Sequence, residues 1–376
     1  MTSTTEGPEP VTVPVRVVDS DVHPAAPTWE QIQPYVPPSW RPADWVRFAS
    51  GAPMYSTPGP AGVYRADAMD ENSVGGSSPQ VLSKQLLEDA GVDIAILWPL
   101  ACRHVASTAD EAAAASAINS WMADSWLSKD NWHERYRGTI VISGRSIPDA
   151  LAEIEKWGGD PRFVQIGFDP IGVPPIGSRA FEPVVRAAVK HNLPISMHFI
   201  TSPGMNVLTP VGFLAYASEF RVLFPFAYAS QVTSAVTSGI FDRYPQLRLV
   251  CIEAGISWIV PMLWRIQNLW SVLGGAGRRD PFDCLGENLR FTTQPLEEPE
   301  DLRHLHRVLE WARGDRSIMF STDYPHFDFD NPGQVERRMP ASMRDRIMFE
   351  NAIETYGLPR TRKVVAAGRP AEVARR

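Results

Sequence analysis

The chain has 376 residues, 44% of them hydrophobic and 21% charged, with a formal net charge of −7. That composition belongs to a folded globular protein and excludes a disordered chain, and the length suits one large domain or two ordinary ones. An acidic balance with no Lys/Arg-rich block argues against nucleic acid and anionic membranes as partners, and no apolar run reaches the roughly 20 residues that span a bilayer.

Residues 1–14 are polar, lack the basic and apolar regions of a signal peptide, and read as a disordered arm. The first candidate strand, VRVVD (15–19), leads into VDSDVHP, which sets Asp19, Asp21 and His23 at alternate positions. Residues 24–80 concentrate prolines among Trp29, Tyr35, Trp40, Trp45 and Tyr55, so an ordered, aromatic-packed insertion is expected there rather than regular structure. Seven more apolar runs follow: DIAILW (93–98), GTIVIS (138–143), FVQIGF (163–168), PISMHF (194–199), LRLVCIE (247–253), NLRFTT (288–293) and SIMFST (317–322). Their near-continuous Val/Ile/Leu/Phe content suits strands buried on both faces of a parallel sheet.

Helical patterns separate them at 80–90, 117–127, 147–157, 181–191, 256–270 and 299–312, and a last helix over 343–356 stops near Gly357. Strand and helix alternating eight times predict one (β/α)8 barrel over 15–358, of the TIM type, distorted by the insertion after strand one. The basic residues 359–376 read as a flexible tail. Cys102, Cys251 and Cys284 are odd in number and widely spaced, so no disulfide framework is expected and a reducing cytoplasm is the simplest location.

Active sites of such barrels form at the C-terminal ends of the strands. Asp21 and His23 end the first run, His198 the fifth, Glu253 the sixth and Asp323 the eighth, with His326 three residues on. Singly, each reads as a core histidine or a helix cap. Together, two histidines and two or three carboxylates at one mouth compose a site for a divalent cation, because unpartnered buried carboxylates are costly.

These residues in this order, with MHF at 197–199, EAG at 253–255 and STDYPH at 321–326, resemble the amidohydrolase-related family that includes 2-amino-3-carboxymuconate-6-semialdehyde decarboxylase. The likeness extends to EDAGVDIAILWP, SGIFDRYPQLRLVCIEAGISW and FENAIETYGL, and so covers roughly residues 17–358. It implies a distorted barrel with one divalent metal, zinc first and manganese or iron as alternatives. It implies metal binding by Asp21, His23, His198 and Asp323, and a homodimer. Asp21 stands where many members carry a histidine, and Glu253 where the decarboxylases carry an acid/base histidine. Asp323, Glu253 and His326 are the candidate catalytic groups.

The leading expectation is hydrolysis of a small aromatic or planar carboxylate or amide by a metal-activated water. The alternative is non-oxidative decarboxylation of an aromatic or enoic acid at the same site. Hydration and ligand binding without turnover stand behind these two. Trp29 is a candidate wall of the substrate pocket, and Arg103 and His104, after the second strand, are candidates to meet a substrate carboxylate.

Overall fold

Eight short strands, β2 (Val18–Val22), β3 (Ile94–Leu97), β4 (Tyr136–Val141), β5 (Phe163–Phe168), β6 (Ile195–Met197), β7 (Leu249–Cys251), β8 (Leu289–Thr292) and β9 (Ile318–Met319), pair in chain order, every neighbour parallel. The computed structural model describes residues 11–49, 64–69, 74–99, 107–200, 225–270 and 278–364, together with positions 219, 222, 223 and 272. The sheet closes on itself where β2 meets the chain after β9: Ser20 N donates to Phe320 O (3.0 Å), Asp323 N to Asp21 O (3.2 Å) and His23 N to Tyr324 O (2.8 Å). This is the barrel that the alternation predicts. All its strand residues but Arg137 are buried, as strands with helices outside and side chains inside must be.

The helices follow the sequence pattern closely. Ile147–Trp157 coincides with its expected span, and Glu182–Lys190 carries Pro183 in its first turn, where a missing N–H breaks no bond. The last helix ends at Gly357, whose φ of 67° stops it in the left-handed region. The helix Pro225–Ser238, between β6 and β7, was not expected. Its buried stripe, Tyr228, Gln231, Val232, Ala235 and Val236, has helical spacing but mixes small and polar residues, so the apolar signal is weak. Among the described residues, no helix is long and apolar enough to cross a membrane.

Two terminal expectations need correction. Thr12–Pro14 (β1), assigned to the disordered arm, pairs antiparallel with Thr361–Lys363 (β10), assigned to the flexible tail. Each segment is too short and exposed to signal a strand alone; pairing across the closed barrel supplies its backbone partners. The arm and tail beyond, 1–10 and 365–376, lie outside the described residues.

Of the insertion after strand one, residues 50–63, with Tyr55, and 70–73 lie outside the described residues; the described part is held by tryptophans. Trp40 and Trp45 are buried, and the Trp45 indole donates to Pro27 O at 2.7 Å. Its far end returns over the barrel mouth. Tyr64 bridges His326, Arg65 N donates to Pro325 O (2.9 Å), and Ala25 N donates to Gly76 O (3.0 Å). Gly76 has φ 81°, and a Cβ there would meet His23 O at 2.4 Å, so only glycine fits that approach.

Candidate active site

The strand ends bring Asp21, His23, His198 and Asp323 together, each offering a ligand atom, with those atoms within 4.8 Å of one another. All four are buried, none more than 2% exposed. Local backbone aims them. The Asp323 backbone adopts φ 59°, a conformation unusual for a non-glycine residue, just where the chain leaves β9 and closes on β2. His23 follows β2 and lies beside Trp98, the residue after β3, whose carbonyl accepts from His23 Nδ1 (2.9 Å). His198 is anchored in the same way, Nδ1 donating to Phe199 O (2.8 Å). Each imidazole therefore spends its Nδ1–H on a backbone carbonyl and turns Nε2 toward the carboxylates, the orientation that metal-binding histidines take.

His23 Nε2 meets Asp323 Oδ1, but the other atoms of the group are left differently. Both Asp21 carboxylate oxygens, Asp323 Oδ2 and His198 Nε2 are buried with no hydrogen-bond partner among the described residues. Asp21 Oδ1 is 3.3 Å from His23 Nε2, and Asp21 Oδ2 is 3.5 Å from His198 Nε2. Burial opposes ionisation of Asp21, yet His23 and His198 overcome it and hold the carboxyl below its usual range. Asp323 is likewise depressed against burial, by His326 and then His23. Burial would lower His23, but Asp21 and Asp323 raise it well above the ordinary imidazole value. Acceptor atoms converging on one point, in surroundings that call for positive charge, fit one divalent cation with mixed nitrogen and oxygen ligands.

Glu253 stands at the edge of this group. Its Oε2 lies 3.6 Å from His198 Nε2, and its side chain is 11% exposed, more than any of the four. Its backbone, φ 54°, is also left-handed, and its N–H donates to Thr292 Oγ1 (3.0 Å). His326 Nδ1 donates to Asp323 Oδ1 at 2.6 Å, and the same oxygen meets His23 Nε2 at 2.9 Å, so His326 orients Asp323. Of the expected substrate contacts, Arg103 and His104 lie outside the described residues. Trp29 opens the short helix Trp29–Ile32 and packs half-buried against the hydrophobic core. It makes no hydrogen bond or ring contact with the four-residue group.

The sequence reading passed over two residues at the mouth. Trp98 is fully buried inside the barrel. Its ring lies 5.4 Å from that of His198, over Gly167, where a Cβ would meet the indole at 2.2 Å. Its Nε1–H has no partner among the described residues. The signal was available: Trp98 ends the DIAILW run, where side chains face the mouth. Tyr64, its ring 5.8 Å from that of His326, is brought in by the insertion's return and had no such signal.

The family profile described as amidohydrolase matches residues 99–358, more than two thirds of the chain. The chain belongs to the amidohydrolase family. It is an enzyme of that superfamily, built on the superfamily's barrel. No curated protein sequence matches it. Among solved structures, an amidohydrolase from Mycobacterium avium subsp. paratuberculosis K-10 superposes with TM-score 0.69 at 18% identity, over 92% of this chain and 98% of that one. The 5-carboxyvanillate decarboxylase of Sphingomonas paucimobilis gives 0.64 at 16%, over 92% and 100%. A dihydroxybenzoic acid decarboxylase from Polaromonas sp. JS666, with bound manganese and the inhibitor 2-nitroresorcinol, gives 0.60 at 17%, over 91% and 97%. At these identities the likeness speaks to the fold.

Proposed function

We propose that this amidohydrolase-family chain is a metal-dependent carboxy-lyase that removes carbon dioxide, without oxidation, from a small aromatic or enoic acid in a single catalytic domain spanning 15–358. The observation that carries the reading is the buried group of Asp21, His23, His198 and Asp323, in which both Asp21 oxygens, His198 Nε2 and Asp323 Oδ2 have no partner among the described residues, with Glu253 beside it. The decarboxylase structures of the same fold, one of them holding manganese, favour this reading over the hydrolytic one.

Asp21, His23, His198 and Asp323 would hold one divalent ion, and manganese or zinc suits two imidazoles and two carboxylates. When bound, the ion supplies positive charge that draws in substrate oxygens and spreads the negative charge developing on them. Glu253 is the proton donor in this scheme. It stands outside the ligand group, whereas Asp323 Oδ1 is engaged by both His23 and His326. As the bond to the carboxylate carbon breaks, its electron pair stays on the substrate carbon. The Glu253 carboxyl proton then forms the new C–H bond, carbon dioxide leaves, and Glu253 is reprotonated from solvent. Trp98 and Tyr64 wall the pocket and favour a planar substrate. The unpartnered Trp98 Nε1–H is available to a substrate oxygen.

The test is product analysis. Manganese-loaded protein, incubated with 5-carboxyvanillate or 2,6-dihydroxybenzoate, should release carbon dioxide in step with loss of the acid. Turnover of a panel of aromatic amides or esters, with neither acid losing carbon dioxide, would return the hydrolytic reading to first place.

A further inference from the structure

Parallel strands exchange evenly spaced hydrogen bonds, and between β6 and β7 that ladder runs to Ile252 N donating to Met197 O at 3.0 Å. The next rung of a parallel ladder would be Phe199 N donating to Ile252 O. That rung is replaced. The Tyr228 hydroxyl, from the helix Pro225–Ser238, accepts from Phe199 N (2.8 Å) and donates to Ile252 O (2.7 Å). Tyr228 is fully buried, so neither backbone group has water to fall back on.

The two residues tied this way adjoin the site: Phe199 follows His198, and Ile252 precedes Glu253. Opening the seam by the width of one hydroxyl sets how far apart the strand-five and strand-six ends stand where His198 Nε2 and Glu253 Oε2 meet at 3.6 Å. Beyond the wedge, the left-handed turn at Glu253 is held from the other side. Trp258 Nε1 donates to Ala254 O (2.7 Å), and the Glu297 carboxylate accepts from Ile256 N (2.8 Å) and Ser257 N (2.6 Å). A backbone in that conformation persists only where its surroundings over-determine it.

We infer that Tyr228 is a positioning residue, a hydroxyl wedge in the β6/β7 seam that sets the placement of Glu253 against His198. Its kinetic part rests on the reading of Glu253 as proton donor; its structural part does not.

Amide hydrogen exchange in manganese-loaded protein separates the two parts. In the wild-type chain the Phe199 amide should be as protected as the amides of β5, and rapid exchange there would overturn the hydrogen bond itself. Tyr228→Phe keeps the ring in the seam and removes the oxygen. It should speed exchange at least tenfold in the segment 197–200 while leaving β4 and β5 unchanged. Loosening spread evenly over the barrel would reduce Tyr228 to a core residue. On turnover, Tyr228→Phe should lower kcat about tenfold, with KM and bound manganese within twofold, and should lower the residual kcat of Glu253→Gln less than twofold. Equal losses in both backgrounds would overturn the link to Glu253. Thr292→Val, which strips the bond to Glu253 N, should lower kcat likewise without speeding exchange at Phe199. If neither probe acid is decarboxylated, the exchange result still decides the wedge, and only the decarboxylase reading falls.

Discussion

Asp19 and Asp21 stand two residues apart on β2, both fully buried, in opposite surroundings. Asp19 Oδ1 accepts from Asp21 N (3.1 Å) and Thr322 N (3.0 Å), and its Oδ2 accepts from Thr322 Oγ1 (2.5 Å). It locks the seam where the barrel closes, although burial still pushes its carboxyl up to about 8. Asp21 receives no hydrogen bond at either oxygen from the described residues and faces two imidazole nitrogens instead. The contrast separates two uses of a buried carboxylate. One takes its donors from the fold; the other is left facing imidazole nitrogens, in surroundings that a cation would complete.

The contrast can be broken most directly at the mouth. His198→Ala and Asp323→Asn should each abolish stoichiometric metal and lower turnover by about 10²-fold or more, while far-ultraviolet circular dichroism shows the barrel intact. Full metal and full activity in both variants would leave the site assignment without support. Next comes Glu253→Gln, which should keep its metal, measured by elemental analysis, and lose turnover by about 10²-fold, in the range of general acid–base groups. Loss of metal together with turnover would instead make Glu253 a ligand.

The seam itself should respond in stability rather than in metal. Asp19→Ala strands the Thr322 and Asp21 amides and should cost about 2–3 kcal/mol in urea unfolding of metal-free protein, with metal stoichiometry kept. Asp19→Asn retains an acceptor and should cost under about 1 kcal/mol. Asp21→Asn should reverse the pattern, weakening metal at least tenfold with no loss of stability in the metal-free protein.

The smallest effect is expected far from the mouth, at His133. It too is buried, and among the described residues its Nε2 has no partner and no carboxylate shifts it. Burial, and then the Arg135 charge, lower its pKa to about 4. A histidine depressed in the fold takes its proton more readily when unfolded. Stability is therefore full above the unfolded value of 6.5 and is lost as pH falls from there toward 4. Between pH 7 and pH 5 the loss should be on the order of 1 kcal/mol, and His133→Asn should remove that slope. An unchanged slope in the variant would assign the acid sensitivity elsewhere.

Much of the molecule was legible in the sequence because its signals are local. FVQIGF is β5 residue for residue, and IPDALAEIEKW is a helix with the same bounds. Where bounds moved, tertiary pairing moved them. The expected strand at 15–19 became Val18–Val22 because β3 on one side and residues 320–324 on the other extend β2 to the mouth. Asp21, His23, His198, Glu253 and Asp323 could be picked out because each ends an apolar run, and strand ends of a parallel barrel share one rim.

What the sequence could not carry is contact between segments remote along the chain. Tyr228 comes from a weakly patterned helix and its hydroxyl bonds to two backbone groups, so no motif marks it. VDSDVHP sets Asp19 one step deeper than Asp21, which is why Asp21 alone reads as a ligand there; the Thr322 donors that tie Asp19 into the seam have no signal in that stretch. The sequence alone determined which side chains reach the rim, because alternation and periodicity are properties of neighbouring residues. Closure of the barrel alone decided which buried carboxylates the backbone supplies with donors and which it does not, because a hydrogen-bond partner three hundred residues away exists only after folding.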